Sequence, residues 1–233
     1  MTQPAKVTID IWSDVMCPWC IIGYSQLQKG LAALQGEVEA EVRWHAFQLN
    51  PDMPAEGEEQ QAHIARKYGR TPDQMAGARA QMKEIGARAG YSFDYAGKGE
   101  APEARLWNTE KAHKLLLWTL AQYGPEKQTA LKLALFDAHF QQRRNVSDPA
   151  VLGDVAESVG IDRASAAAAI DNAFLGQQVL EEQRMAYDMN VTGVPAMVVN
   201  GKYMIPGAQD PETYANALRR VVAREAELAA RAG

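Results

Sequence analysis

Ser13-Asp14-Val15-Met16-Cys17-Pro18-Trp19-Cys20 decides how the chain is read, because it holds both cysteines of the sequence and sets them one helical turn apart. Before it, Val7, Ile9 and Ile11 alternate with Thr8, Asp10 and Trp12, the period of a half-buried strand. After it, Ile21, Tyr24, Leu27, Leu31 and Leu34 are spaced for one face of a helix. The cysteines therefore lie where a strand hands over to a helix. Pro18 is tolerated there, since the first helical turn has no use for its missing N–H. The unpaired amides and the positive end of the helix dipole favour a thiolate on Cys17, whereas Cys20, a turn further in, is expected to be shielded. Cys17 is thus read as the solvent-facing nucleophile and Cys20 as the resolving thiol.

A Cys-x-x-Cys pair can instead be half of a zinc site. Zinc wants two further ligands, and His45, His63, His113 and His139 show no spacing of the zinc-finger kind. Two inert core thiols are a third reading, but Pro-Trp between them at a helix start is a poor core pattern. Redox chemistry is preferred, with no metal.

The chain has 233 residues, 47% hydrophobic and 23% charged, with a net charge of −5. A chain of this size buries about 70–75% of its unfolded surface and needs no disulfide staples. Lys and Arg are scattered among Asp and Glu, so neither nucleic acid nor an anionic membrane is expected as a partner. Residues 1–12 lack the apolar stretch of a secretory signal, and no run long enough to span a bilayer occurs. A cytoplasmic protein is expected, where structural disulfides are rare and a Cys-x-x-Cys is catalytic or redox-sensing.

Glu39 to Leu49 reads as a second strand, so residues 1–50 form a βαβ unit with a parallel crossover. His45 on that strand is assigned a structural role. The turn-forming run Asn50 to Gly57 marks a boundary, and residues 51–190 carry helical signals throughout. Thr71 with Pro72 opens one helix and Gly90 closes it. Further helices are predicted over 104–123, 125–144, 147–160, from Asp162, and over 176–190. Tyr91, Phe93 and Tyr95 alternate across a loop expected at the rim of a cleft. Strand signals return at Ala196–Asn200, followed by the hairpin dipeptide Asn200-Gly201, a second strand to Ile205, and a helix opened by Asp210-Pro211. Residues 191–233 thus supply ββα. The prediction is an α/β fold whose two halves, 1–50 and 191–233, flank a helical insertion.

This arrangement is similar to the thioredoxin-like fold with a large all-α insertion between its βαβ and ββα halves. The wording of Ser13 to Cys20 with Gly23, and of Thr192-Gly193-Val194-Pro195-Ala196 leading into Val199-Asn200-Gly201-Lys202-Tyr203, resembles the DsbA family. Phe47-Gln48-Leu49-Asn50-Pro51 and Asn108-Thr109 with Ala112-His113 resemble its cytosolic FrnE-like branch. The resemblance implies a cis bond before Pro195, beside the cysteine pair; cis bonds are largely a proline phenomenon. It assigns no chemistry to His113, which is expected to pack and hydrogen-bond internally. Periplasmic oxidants of the family carry a His between their cysteines, where this chain has Trp19. The extreme acidity of the DsbA cysteine, about 3.5, is therefore not expected.

The function expected is thiol–disulfide exchange on protein or small-molecule thiols and disulfides, by a monomer or homodimer. Its redox-active disulfide is the only cofactor expected, with glutathione as candidate co-substrate. Pro18 and Pro195 support the site. Met16, Trp19 and Val194 are expected to form an apolar collar for the substrate, and the Val194 backbone to pair with an extended peptide. The helical insertion is expected to pack over this end of the molecule. Two alternatives stand beside this reading. Kappa-class glutathione transferases and 2-hydroxychromene-2-carboxylate isomerases share the inserted fold but use Ser where this chain has Cys17. A redox-switched binding protein would need no turnover.

Overall fold

The alternating run before the cysteines forms strand β1 (Ala5–Ser13), and the helical run after them forms α1 (Pro18–Ala32), followed by β2 (Val38–Ala46). These elements come from a computed structural model, which describes residues 3–232. Next come β3 (Glu58–Glu59), α2 (Gln60–Tyr68), α3 (Pro72–Ala89), β4 (Arg105–Leu106), α4 (Glu110–Tyr123) and α5 (Pro125–Phe136). A π-helical turn (Asp137–Gln141) leads to α6 (Pro149–Ser158), α7 (Arg163–Asp171) and α8 (Ala173–Asp188). Strands β5 (Ala196–Val199) and β6 (Tyr203–Pro206) and helix α9 (Pro211–Ala232) follow.

Local chemistry explains the boundaries. Thr71 and Gln74 form a reciprocal capping box ahead of α3, and Gly90 ends it in the left-handed region at φ 95°. Asp148, Asp162 and Asn172 cap α6, α7 and α8 through their side-chain oxygens. Two helices depart from expectation. The one predicted from residue 104 starts at Glu110, because Arg105 and Leu106 pair with Glu59 and Glu58 in a small antiparallel sheet. The one predicted over 125–144 loosens into the π-turn, where the Asp137 carboxylate accepts the Tyr91 hydroxyl at 3.0 Å.

The main sheet has the order β2-β1-β5-β6, with β1 and β2 parallel and the others antiparallel. Asn200 and Gly201, at φ 51° and 65°, turn the β5–β6 hairpin as a two-residue loop requires. Val7, Ile9 and Ile11 face Ile21 and Leu27 of α1 and Tyr214, Leu218 and Val221 of α9. Helices α1 and α9 approach so closely that a Cβ on Gly30 would lie 2.8 Å from the Pro211 carbonyl oxygen. The opposite face carries Trp12, Ala196 and Val198 against Ala186 of α8 and Val191. This is a thioredoxin-like α/β fold with a helical insertion.

The insertion closes one edge of the sheet. β2 has a neighbour on one side alone, and such an edge invites foreign strands. Here side chains substitute for a strand. The Trp44 N–H donates to Gln128 Oε1 at 2.8 Å, and Gln128 Nε2 donates to the Trp44 carbonyl at 2.7 Å. Two and four residues on, the Ala46 and Gln48 amides donate to Glu182 and Gln183 of α8.

Candidate active site

Cys17 is the N-cap residue of α1 and Pro18 its first residue; the Cys20 amide donates to the Cys17 carbonyl at 3.0 Å. Both cysteines are free thiols. The Cys17 thiol donates to the Val194 carbonyl at 3.5 Å, and the Val194–Pro195 peptide is cis. Pro195 is buried against α1, and Gly23 makes room for it: a Cβ there would sit 3.1 Å from Pro195 Cγ. The loop and the helix start are thus brought together at one sulfur, as the two motifs implied.

Three sequence expectations need correction. Cys17 does not face solvent; it is 4% exposed, against 0% for Cys20. Met16 does not join an exposed collar, because Val15 and Met16 turn into the helical core, where Met16 Sδ accepts the Trp107 amide. Trp19, 41% exposed, and half-buried Val194 remain at the surface. Tyr91 is not a rim residue either. It is buried, edge-on to Phe93 and Phe140, in the core that also contains the cysteines.

The charge on the dithiol also differs from expectation. Hydrogen bonding with Cys20, burial and the Cys20 charge push the Cys17 thiol well above the ordinary range. Burial pushes Cys20 up as well, but the Cys17 thiol, the Lys132 charge, the Ser13 hydroxyl and the Asp14 backbone together bring it below. The helix N-terminus is present, yet burial works against a Cys17 thiolate while the donors and the Lys132 charge around Cys20 work in favour of one there.

Of the groups responsible, the insertion contributes Lys132. Lys132 of α5 is wholly buried and donates to the Ser13 carbonyl at 3.3 Å. Burial pulls its ammonium down to about 8, while the charges of Cys20, Asp14, Cys17 and Glu182 hold it up. Asp14 is wholly buried too. Burial raises it, but His113, the Leu49 amide at 2.8 Å and Lys132 outweigh that and hold it below the usual carboxylate range. His113 of α4 and His139 of the π-turn are kept neutral by burial, His139 at about 4. His113 Nε2 lies 3.7 Å from Asp14 Oδ1, so its ring acts on the carboxylate as a long-range polar neighbour and not through a short hydrogen bond. Among the described residues no three His, Cys, Asp or Glu side chains gather to hold a metal ion. Sequence reasoning missed Lys132 and Asp14. A signal existed for the lysine, which interrupts the apolar stripe Leu131, Leu135, Phe136 of α5.

The model of the DSBA-like thioredoxin domain matches residues 8–219. A solved structure of a "probable DsbA oxidoreductase" from Streptomyces coelicolor superposes with a TM-score of 0.80 at 26% identity, over 92% of this chain and 89% of that one. The cytosolic disulfide reductase DsbM of Pseudomonas aeruginosa shares the fold at 16% identity and a TM-score of 0.60, over 92% and 98% of the two chains. A 2-hydroxychromene-2-carboxylate isomerase does so at 16% and 0.65, over 95% and 98%. With a family match over nearly its whole length, the chain belongs to the DSBA-like thioredoxin domain family of thiol–disulfide oxidoreductases.

Proposed function

We propose that the protein exchanges disulfides through Cys17-Pro18-Trp19-Cys20, with Cys17 as the attacking sulfur and Cys20 as the resolving one. One observation carries this reading: a reduced pair at a helix start in which the outer sulfur meets the Val194–Pro195 loop and the inner one is sealed. A substrate disulfide R–S–S–R′ reaches Cys17 first. The Cys17 proton passes to the Cys20 thiolate as the Cys17 sulfur attacks, forming Cys17–S–S–R and expelling R′–S⁻. Cys20 then gives that proton up to the departed R′–S⁻, making R′–SH, and attacks the Cys17 sulfur, expelling R–S⁻. Two electrons have moved to the substrate, and a Cys17–Cys20 disulfide remains. The reverse sequence oxidises a dithiol.

Trp19 and Val194 hold the substrate, and the Val194 backbone pairs with an extended peptide; Pro18, Pro195 and, from beneath, Met16 support them. No metal or further cofactor enters these steps. Glutathione is the proposed co-substrate, in a cytoplasmic monomer or homodimer. No described helix is long and apolar enough to cross a membrane.

The test is reduction of insulin disulfides with glutathione or dithiothreitol as electron source, run beside capture of partners by Cys20→Ser. Catalytic turnover and partners released by reductant support the reading. Full glutathione-dependent activity in both single cysteine variants would overturn it. Glutathione addition to an electrophile would then identify a transferase or isomerase, and an inert protein would point to a redox-switched binder.

A further inference from the structure

The side chains that substitute for a strand beside β2 reach only half of it. Trp44 and Ala46 turn their backbone groups away from β1, toward Gln128 and Glu182. By the alternation of a ladder, the N–H and C=O of Ala40 and Val42 face the same way. Among the described residues no second strand or side chain bonds them, and an unpaired edge of this kind invites another strand. A groove of about 670 Å³ runs along the stretch, with Tyr24 and Gln28 of α1 and Pro125 and Thr129 of α5 among its walls. The slot ends where Gln128 begins.

The strand that fits this slot is the same strand of a second copy. Val38-Glu39-Ala40-Glu41-Val42-Arg43 is complementary to itself when turned end for end about Glu41. Ala40 then faces Val42 of the second copy, and every outward N–H and C=O of these residues is paired in both chains. Glu39 faces Arg43 of the second copy, twice over, on the exposed polar face. The two Glu41 carboxylates meet at the axis, where each already accepts Nε–H of its own Arg43 at 2.7 Å. Neighbouring registers fail: an axis at Ala40 sets Glu39 against Glu41, and one at Val42 drives Ala40 into Trp44, which Gln128 already holds. Val38 leaves the ladder before it would reach Gln128, because its N–H turns back to the Leu34 carbonyl at 3.1 Å. We infer that the protein forms a homodimer by antiparallel pairing of the open halves of two β2 strands about Glu41, which joins the two four-stranded sheets into one. The stretch from Glu39 to Arg43 makes a smaller contact than the about 800 Å² per partner of a standard interface, so the dimer dissociates on dilution. Both dithiols stay free. Ala40 and Val42 lie beside Val7 and Ile9, at the opposite end of β1 from Ser13 and the cysteines. The inference is independent of the exchange reading.

The experiment places one cysteine on the axis. Glu41→Cys in a Cys17→Ser, Cys20→Ser background should give a covalent dimer under mild oxidation, because facing residues at a non-hydrogen-bonded position have Cα atoms about 4.5 Å apart, within disulfide range. Lys202→Cys in the same background, exposed at the far side of the sheet, sets the level of chance crosslinking. Sedimentation of the unmodified protein under reducing conditions should shift from monomer toward dimer as concentration rises. Arg43→Glu places like charges opposite one another and should raise the dissociation constant about tenfold; adding Glu39→Arg to the same chain should restore it. Crosslinking no stronger than that of Lys202→Cys, or a dimer indifferent to the single charge reversal, overturns the inference. So does a protein that stays monomeric at every concentration, and if its Ala40 and Val42 amides then respond by NMR to a synthetic Val-Lys alternating peptide, the slot belongs to a foreign strand instead.

Discussion

The dithiol is bounded on two sides by regions that act through different atoms. On the side of α1 and the Val194–Pro195 loop the contacts are made by backbone: a helix start and a carbonyl 3.5 Å from Cys17. On the side of the insertion they are made by side chains from separate helices, with Lys132, Gln128, Glu182 and Gln183 reaching into β2 and the strand–helix loop. In the proposed exchange the backbone side decides which sulfur a substrate meets. The side-chain side places a buried cation beneath the strand–helix loop and keeps the sheet edge paired. Cys17 meets the Val194 carbonyl while Cys20 is sealed beneath it, so the two regions touch the dithiol at different sulfurs.

The most severe way to break the comparison is to remove the sulfur on the backbone side. Cys17→Ser should reduce insulin turnover to background and trap no partner, whereas Cys20→Ser should lose turnover yet accumulate mixed disulfides that non-reducing gels reveal. Equal trapping by both variants would show that the two sides do not divide access as described.

Next in size is a break on the side-chain side. Gln128 is buried, and replacing it with Leu leaves the Trp44 N–H and carbonyl without their partners inside the protein. Each unsatisfied buried group costs about 1–3 kcal/mol, so with two of them Gln128→Leu should destabilise by about 2–6 kcal/mol. Urea unfolding measures this directly. A midpoint within error of wild type would mean that the β2 edge does not depend on the insertion.

The same division explains what could be read from the sequence. β1, α1, the hairpin and the helix caps were legible because their signals lie within a few residues: the alternation of Val7, Ile9 and Ile11, Pro18 after Cys17, Asn200-Gly201, and Thr71 with Pro72. The pairing of Arg105 with Glu59 was not, since two residues carry no period and their partner lies 46 positions away. The buried cation beneath the dithiol was not legible either, because Lys132 meets Ser13 across 119 residues. Local rules predicted the helix dipole and missed the cation. Met16 fell to the same cause: an apolar residue beside the motif suits an exposed collar or a second core equally well, and helices α4 to α7 decide.

His45 sharpens the comparison more gently, by pH. Its ring is stacked on Trp12 at a centroid distance of 4.5 Å, with Nε2 at 2.9 Å from Asp10 and Nδ1 at 2.8 Å from Glu182, so it ties β1 and β2 to α8. Burial works against its charge, but the two carboxylates prevail and push it up to about 9. The folded value lies above the unfolded one, about 6.5, so the stabilisation is fully present below about pH 6.5 and is lost as pH rises through about 9. Its size is at most about 3 kcal/mol. His45→Gln should therefore be less stable than wild type near pH 6, with the gap closing by about pH 10, as denaturant melts at the two values would show. A gap independent of pH would mean that the charge of His45 contributes nothing.

The smallest effect expected is at Gly23, and it tests the backbone side alone. A Cβ there would lie 3.1 Å from Pro195 Cγ and 3.4 Å from Ala208, closer than comfortable contact but short of a hard clash. The helix itself gains from the change, since Ala is favoured over Gly by about 1 kcal/mol in a helix interior. Crowding a packed site costs about 1–3 kcal/mol, so the two terms partly cancel and Gly23→Ala should destabilise by about 0–2 kcal/mol. The crowding falls on Pro195, next to the Val194 carbonyl that contacts Cys17, so turnover should fall by a larger factor than stability explains. Unchanged turnover with unchanged stability would show that the loop shifts freely, and that the Cys17–Val194 contact does not depend on the close approach of α1.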